Sequence, residues 1–330
     1  MKKDSQLKYQ NIIFIKEMKD IYSVLVLKDG RIAIGGEYLK IYNKKTFHLD
    51  FEISLKNYLD NKDGRFFTIK KLIYLNNGDI LVNNNHKIFF IIKIIDNEKK
   101  YDVLEKFESN GISWITRICE LSNNSIATIG VPYDIEFFSK NENAKYYSSK
   151  IIRNAHKRDG YKTLIEIPNN RIMTFSGKLC EFKVWDLNNY ECIFRGEINK
   201  PECGKDRIYL ILNRYVLIQC NYKLIIIDID NNYNKYLSLK DVFVYSMMRL
   251  NEKEFLLLTE KGIDKVILNI DKLEFNVDYS NAFIIKEGYH FGSILVKIKE
   301  DTYLTNIEKN KYLSSEGYIT PLLIFKYYNN

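Results

Sequence analysis

A two-residue polar turn between two apolar segments recurs along the whole chain of 330 residues. Neighbouring turns are separated by roughly 38 to 49 residues, the usual length of one repeat in several repeat architectures. The turns are Asp29-Gly30, Asn77-Gly78, Asn123-Asn124, Asn169-Asn170, Asn213-Arg214, Asn251-Glu252 and Glu300-Asp301. Asp-Gly and Asn-Gly are strong hairpin signals, because Gly accepts positive φ without steric cost. The spacing therefore predicts repeated copies of one supersecondary unit.

The segments that flank these turns favour strands, because they alternate and are rich in β-branched and aromatic residues. A continuous apolar run such as Leu224 to Ile227 is typical of a strand buried on both faces. The predicted repeats span 19–57, 66–110, 113–153, 160–199, 205–240, 242–281 and 290–330. The last repeat shows only three strands, and segment 9–16 contains the apolar run Ile12 to Ile15. We expect this N-terminal segment to supply the missing strand, which would cover an exposed edge.

The fourth repeat has the most specific motif, FKVWDLNNYECIFRGE, at residues 182–197. A strand ends at Trp185-Asp186, a turn follows at Asn188-Asn189, and a second strand begins before Cys192. This segment resembles the third and fourth strands of a WD-repeat blade, including the Trp-Asp dipeptide. The resemblance implies an all-β, seven-bladed β-propeller of four-stranded antiparallel blades, a single domain over residues 1–330 with its ring closed by the N-terminal strand. Two alternatives stay open, a different propeller family and a non-propeller stack of sheets.

The resemblance also implies a buried hydrogen-bond network in the fourth repeat. In the family, this network joins a His before the first strand, a Ser or Thr of the second, an Asp of the next turn and the Trp. We expect His156, Ser176, Trp185 and Asp186 to carry the motif here. The position of the family's turn Asp falls near Leu179, so we expect the network to be broken or rerouted.

Composition narrows the class of function without identifying it. The formal net charge is +8, but the basic residues are scattered and form no long run. The five cysteines include no Cys-x-x-Cys pair, and the four histidines lack companions at metal spacing, so we expect no metal and no cofactor. No apolar run is long enough for a transmembrane segment, and we expect an intracellular, cytoplasmic protein.

No motif of a nucleotide-binding loop, nucleophile elbow or zinc protease occurs, and we expect no enzymatic activity. Aromatic and basic residues near the starts of the first strands are predicted to form a partner-binding rim. These residues are Tyr22, Phe67, Trp114, Lys157, Arg158, Tyr161, Arg207 and Phe291. The alternative is that the aromatic residues pack between blades.

The leading functional hypothesis is a protein-interaction scaffold that binds partner proteins or peptides on this rim. Binding of RNA or anionic lipid through a basic surface is the second hypothesis. It draws on the net charge and on Phe194-Arg195-Gly196, which resembles an incomplete form of the signature of phosphoinositide-binding propellers. A propeller-fold enzyme is the third.

Overall fold

The computed structural model is an all-β protein with one short 3₁₀ helix, Leu55–Tyr58, among its described residues. The structure describes residues 13–15, 21–59, 67–84, 86–95, 99–157, 162–177, 181–198, 207–220, 223–240, 244–259, 262–283, 289–299, 302–309 and 322–326. Within these ranges, no helix combines the length and the apolar character needed to cross a bilayer.

Six four-stranded antiparallel sheets each consist of strands that follow one another in the chain, and we call them blades 1 to 6. Blade 1 comprises β2 (Ser23–Val26), β3 (Ile32–Gly35), β4 (Leu39–Tyr42) and β5 (Leu49–Ile53). Blade 2 comprises β6 (Lys71–Tyr74), β7 (Ile80–Asn83), β8 (Ile88–Ile94) and β9 (Tyr101–Glu108). Blade 3 comprises β10 (Trp114–Glu120), β11 (Ile126–Val131), β12 (Ile135–Lys140) and β13 (Tyr146–Ile152).

The remaining three blades have the same strand order. Blade 4 comprises β14 (Lys162–Ile167), β15 (Arg171–Ser176), β16 (Glu181–Asp186) and β17 (Glu191–Glu197). Blade 5 comprises β18 (Arg207–Ile211), β19 (Tyr215–Cys220), β20 (Lys223–Asp228) and β21 (Asn234–Lys240). Blade 6 comprises β22 (Val244–Arg249), β23 (Glu254–Thr259), β24 (Ile263–Asn269) and β25 (Glu274–Phe283).

The prediction of seven blades is corrected by the strand order, which gives six blades of consecutive strands among the described residues. A further four-stranded sheet is composite and contains β26 (Tyr289–Lys299), β27 (Thr302–Lys309), β28 (Leu322–Lys326) and β1 (Ile13–Ile15), in the order β1-β28-β27-β26. The pairing of β1 with β28 places Ile13 opposite Ile324. The physical reason is that three consecutive strands leave one edge of β28 unpaired, and a distant segment satisfies its backbone groups. Residues 9–12 and 16 of the predicted N-terminal strand lie outside the described residues.

Contacts within the chain group it into two units. The first unit takes in the described residues within 111–139 and 148–285, and it holds blades 4 to 6 and most of blade 3. The second unit contains residues 8–110, 140–147 and 286–330, and it holds blades 1 and 2 and the composite sheet.

Within each unit, neighbouring sheets share an apolar interface. In the first unit, Met173 and Phe182 of blade 4 pack in one cluster with Val216 and Ile225 of blade 5. Each fully buried side chain of this size stabilises the fold by roughly 1.5–3 kcal/mol. Inner strands are accordingly buried on both faces, whereas the outer strand β17 alternates between exposed and half-buried residues. This pattern is the stacking of four-stranded blades in a β-propeller.

The turn chemistry read from the sequence is present in the backbone. Gly30 and Gly78 have φ of 85° and 90°, and Asn124 and Asn213 have φ of 62° and 52°. Asn tolerates this left-handed region better than most residues, which explains why Asn replaces Gly in the later blades. The predicted turn Glu300-Asp301 lies outside the described residues.

Candidate functional site

A buried hydrogen-bond network in blade 4 centres on the hydroxyl of Thr174. Trp185 Nε1 donates to Thr174 Oγ1 at 2.9 Å, and His156 Nε2 lies 2.8 Å from the same oxygen. The other ring nitrogen, His156 Nδ1, lies 3.2 Å from Glu181 Oε2. A carboxylate only accepts hydrogen bonds, so the network assigns the proton to Nδ1 and leaves Nε2 to accept from the Thr174 hydroxyl.

His156 is held as a neutral imidazole. Burial, together with the smaller effect of the nearby ammonium groups of Lys183 and Lys162, lowers the pKa of His156 to about 3. Lys183 also ties the preceding loop to the blade, because its Nζ donates to the carbonyl of Ala155 at 2.6 Å. The network therefore fixes the loop that carries Lys157.

Two of the four predicted motif residues have other partners. The network uses Thr174, whereas Ser176 accepts a hydrogen bond from Lys162 Nζ at 2.7 Å. Asp186 accepts from the backbone N–H and the side chain of Asn188, so it stabilises the turn between β16 and β17. Glu181, the first residue of β16, occupies the acid role that the family gives to a turn Asp. The network is thus rerouted through Glu181.

The signal for Thr174 and Glu181 was present in the sequence but ambiguous. Thr174 and Ser176 lie two residues apart on one strand and face the same side, so the pattern alone could not choose between them. Glu181 lies two residues beyond the expected position at Leu179, which itself lies outside the described residues. The longer Glu side chain reaches His156 from the adjacent strand.

The predicted rim residues divide by their exposure. Trp114 is 46% exposed and Tyr22 is 40% exposed. Phe67 is 2% exposed and packs edge to face on Phe90 in the interface of blades 1 and 2, so it is a core residue and not a rim residue. Lys157 is exposed.

The other predicted rim positions are only partly described. Arg158 and Tyr161 lie outside the described residues. Arg207 and Phe291 belong to β18 and β26, but their side chains are outside the described part of the structure.

Tyr22 and Trp114 lie in different units and have different surroundings. Lys70 Nζ lies 2.7 Å from the centre of the Tyr22 ring, so an ammonium group covers one face of that ring. Trp114 is therefore the more open of the two aromatic side chains by fractional exposure.

Trp114 begins β10 and is held by the adjacent strand. It pairs with Val131, and the backbone N–H of Ser113 donates to the Val131 carbonyl at 2.8 Å. Gly130 permits this approach, because a Cβ atom there would lie 2.0 Å from the Trp114 carbonyl oxygen. The backbone beneath the indole is consequently fixed by close packing.

The turn after Val131 brings further groups to the same end of blade 3. Pro132 is exposed, and Tyr133 is half-buried with φ of 84°. His156 donates its backbone N–H to the Tyr133 carbonyl at 3.3 Å, which connects the turn to the loop that carries Lys157. We call Ser113, Trp114, Pro132, Tyr133 and Lys157 the Trp114 surface.

Charged groups around the Trp114 surface are mostly bound within the protein. Asp134 accepts from Arg153 Nη1 at 2.7 Å and from the backbone N–H of Asn154 at 2.8 Å. Lys162 Nζ lies 5.1 Å from the centre of the Tyr133 ring and donates to Ser176. Lys157 has no hydrogen-bond or ion-pair partner among the described residues.

The described residues contain no group of three or more His, Cys, Asp or Glu placed to hold a metal ion. The predicted Phe194-Arg195-Gly196 segment has a packing role at its glycine. A Cβ atom on Gly196 would lie 2.3 Å from the ring of Phe182, so the glycine lets the two strands approach.

Comparison with known proteins supports the fold and gives no family by sequence. No protein-family model matches the chain, and no curated protein matches it. Solved structures that resemble it over nearly its whole length include the following two. The structure of U3-55K matches with a TM-score of 0.68 and 9% identity, covering 96% of this chain and 98% of that one. The crystal structure of Saccharomyces cerevisiae Sqt1 matches with a TM-score of 0.65 and 9% identity, with the same two coverages.

At this identity the likeness concerns the fold alone. Together with the four-stranded antiparallel blades, it supports a β-propeller fold.

Proposed function

We propose that this protein is a non-catalytic scaffold that binds a partner protein through the Trp114 surface, with residues 1–330 acting as one propeller domain. The observation that carries the proposal is the indole of Trp114, which is 46% exposed at the edge of a rigid blade. Trp side chains are enriched among the residues that dominate protein interfaces, since they bury a large area with little loss of rotamer freedom. Pro132, which directly follows the cross-strand partner of Trp114, is also exposed and apolar.

The rigidity of the backbone favours this role. Pairing with Val131 and the close approach at Gly130 hold Trp114 before any partner arrives. A surface that is already ordered loses less conformational entropy on binding, so more of the contact energy appears as affinity.

Binding of RNA or lipid has weaker support, because many basic groups are already paired. Ion pairs join Arg31 to Asp29, Arg153 to Asp134, Arg214 to Asp228 and Lys265 to Glu254. Paired guanidinium and ammonium groups contribute less to an anion-binding face than the net charge suggests.

The test is affinity capture from an extract of the source cells with the wild type and with Trp114→Ala. Ile193→Ala is the matched control, because Ile193 is 49% exposed on the outer strand β17 of the same unit. We expect Trp114→Ala to lose a discrete set of captured proteins and Ile193→Ala to retain it. Equal capture by all three proteins would refute the proposal. Unfolding curves of each variant show that the loss does not come from unfolding.

A further inference from the structure

The Trp114 surface differs from an ordinary apolar patch in the distribution of charge around it. Its carboxylates are bound within the fold. Asp134 is bound by Arg153 and Asn154, and Glu181 lies 3.2 Å from His156 Nδ1 and 3.5 Å from Lys183 Nζ. These acids are therefore poorly placed to attract a basic partner.

Glu136 completes this set of bound acids. It is fully buried and accepts from the backbone N–H of Gly111 at 3.2 Å. Its burial removes it from the surface that a partner would contact.

Two of the four basic groups at the same place are exposed, Arg153 and Lys157, whereas Lys162 and Lys183 are buried. Arg153, Lys157, Lys162 and Lys183 all lie on or beside the segment that contacts the Tyr133-Asp134 turn. Arg153 keeps 57% of its side chain exposed although it is paired. Lys157 is exposed and has no partner among the described residues. The exposed charge of this segment that no described carboxylate balances is thus the ammonium group of Lys157.

We propose that the partner segment recognised by the Trp114 surface is an acidic peptide, in which an aromatic or aliphatic side chain packs on Trp114 and Pro132 and a neighbouring carboxylate pairs with Lys157. This inference rests on the proposed function, because it assigns the chemistry of the partner at the same surface. An apolar contact supplies most of the affinity, and the charge selects acidic over basic segments and accelerates encounter.

The fixed loop geometry makes this pairing specific. The His156 network and the contact of Lys183 with Ala155 hold the loop just before Lys157. The backbone contact from His156 to Tyr133 sets the loop against the turn that carries Pro132. The backbone that leads into Lys157 is therefore anchored to the turn that follows Val131, the cross-strand partner of Trp114.

The probe is a random copolymer of glutamate and tyrosine, which contains no tryptophan, titrated against the intact chain. The intrinsic tryptophan fluorescence reports binding, because Trp114 is exposed whereas Trp185 is buried. We expect saturable quenching by this copolymer and none by a copolymer of lysine and tyrosine. Raising the salt from about 0.1 M to about 1 M shortens the Debye length from about 10 Å to about 3 Å and should weaken binding.

Three variants separate the possible outcomes. Lys157→Glu should raise the Kd about five- to tenfold, because one attraction becomes a repulsion. Lys272→Glu changes the net charge equally on an exposed turn between β24 and β25, and it should leave the Kd unchanged. Trp114→Ala should abolish binding, and here binding is followed by the anisotropy of a dye on the copolymer.

If Trp114→Ala loses binding of the acidic copolymer but Lys157→Glu binds it as tightly as the wild type, the proposal of an acidic partner is overturned and the scaffold proposal stands. No effect of Trp114→Ala on binding of the acidic copolymer would overturn the acidic partner at this surface, and the scaffold proposal is overturned separately by equal capture of proteins with Trp114→Ala and wild type. If the protein binds polyuridylic acid more tightly than the acidic copolymer, and Lys157→Glu loses this RNA binding, the partner is RNA and the proposal of an acidic peptide is overturned.

Discussion

Replacing Thr174 by Val tests the rerouted network by removing one hydroxyl while keeping the shape of the side chain. Thr174 is fully buried, and its oxygen contacts Trp185 Nε1 at 2.9 Å and His156 Nε2 at 2.8 Å. The variant leaves an indole N–H and an imidazole nitrogen without this partner in the interior. Each of these two buried groups left unsatisfied costs about 1–3 kcal/mol, so the free energy of unfolding should fall by about 2–6 kcal/mol.

Thr128→Val is the matched control for this substitution. Thr128 is also fully buried on the second strand of its blade, but its hydroxyl makes a longer contact of 3.3 Å to the Glu136 carbonyl. Its loss should cost no more than about 1 kcal/mol. Urea unfolding measures the difference in the free energy of unfolding between the two variants, provided that the m-values agree. Thr174→Ser, which keeps the hydroxyl, is measured beside them. Equal destabilisation by Thr174→Val and Thr128→Val would refute the role assigned to the network.

Three further predictions address other parts of the structure. Burial lowers the pKa of His156 to about 3 from an ordinary value of 6.5, so the unfolded chain binds the proton first as pH falls. The free energy of unfolding of the wild type should therefore fall by up to about 1.4 kcal/mol per pH unit between pH 6.5 and 3, relative to that of His156→Gln. Parallel pH profiles of the two proteins in urea unfolding would contradict this. In thermal unfolding, Gly130→Ala should destabilise the protein more than Gly30→Ala does. The Cβ at position 130 would lie 2.0 Å from a backbone oxygen, whereas at position 30 the strain at φ of 85° costs about 1–2 kcal/mol. The reverse order would show that the Trp114 backbone can shift. Deleting residues 1–16 should unpair β28 and promote aggregation measured by light scattering, and a monodisperse, equally stable truncated protein would argue against the β1 pairing.

Local rules read from the sequence predicted the hairpins well, because they depend on neighbouring residues alone. Asp29-Gly30 and Asn77-Gly78 form turns with the glycines at positive φ, as the turn chemistry requires. The same rules could not count blades correctly. They gave seven blades, whereas the described strands form six blades of consecutive strands and one composite sheet. The pairing of Ile13 with Ile324 in that sheet was expected from the three strands of the last repeat and not from any local pattern at residues 13–15.

Site residues were harder to predict, because exposure is a tertiary property. Phe67 and Trp114 both precede or begin the first strand of a blade, yet Phe67 enters the core and Trp114 stays at the surface. The difference arises from packing against Phe90 in one case and from the close approach at Gly130 in the other. For the network, alternation placed Thr174 and Ser176 on the same face, and only the position of His156 distinguishes them.

Photo-crosslinking from position 114 tests the central claim most directly. A benzoylphenylalanine at position 114 should crosslink to a discrete partner protein in an extract of the source cells. The same group at position 193, equally exposed on β17, should give no such product. A crosslinked protein seen from position 114 and absent from position 193 is the result that the account predicts. No specific protein product from position 114, or the same products from both positions, would contradict it.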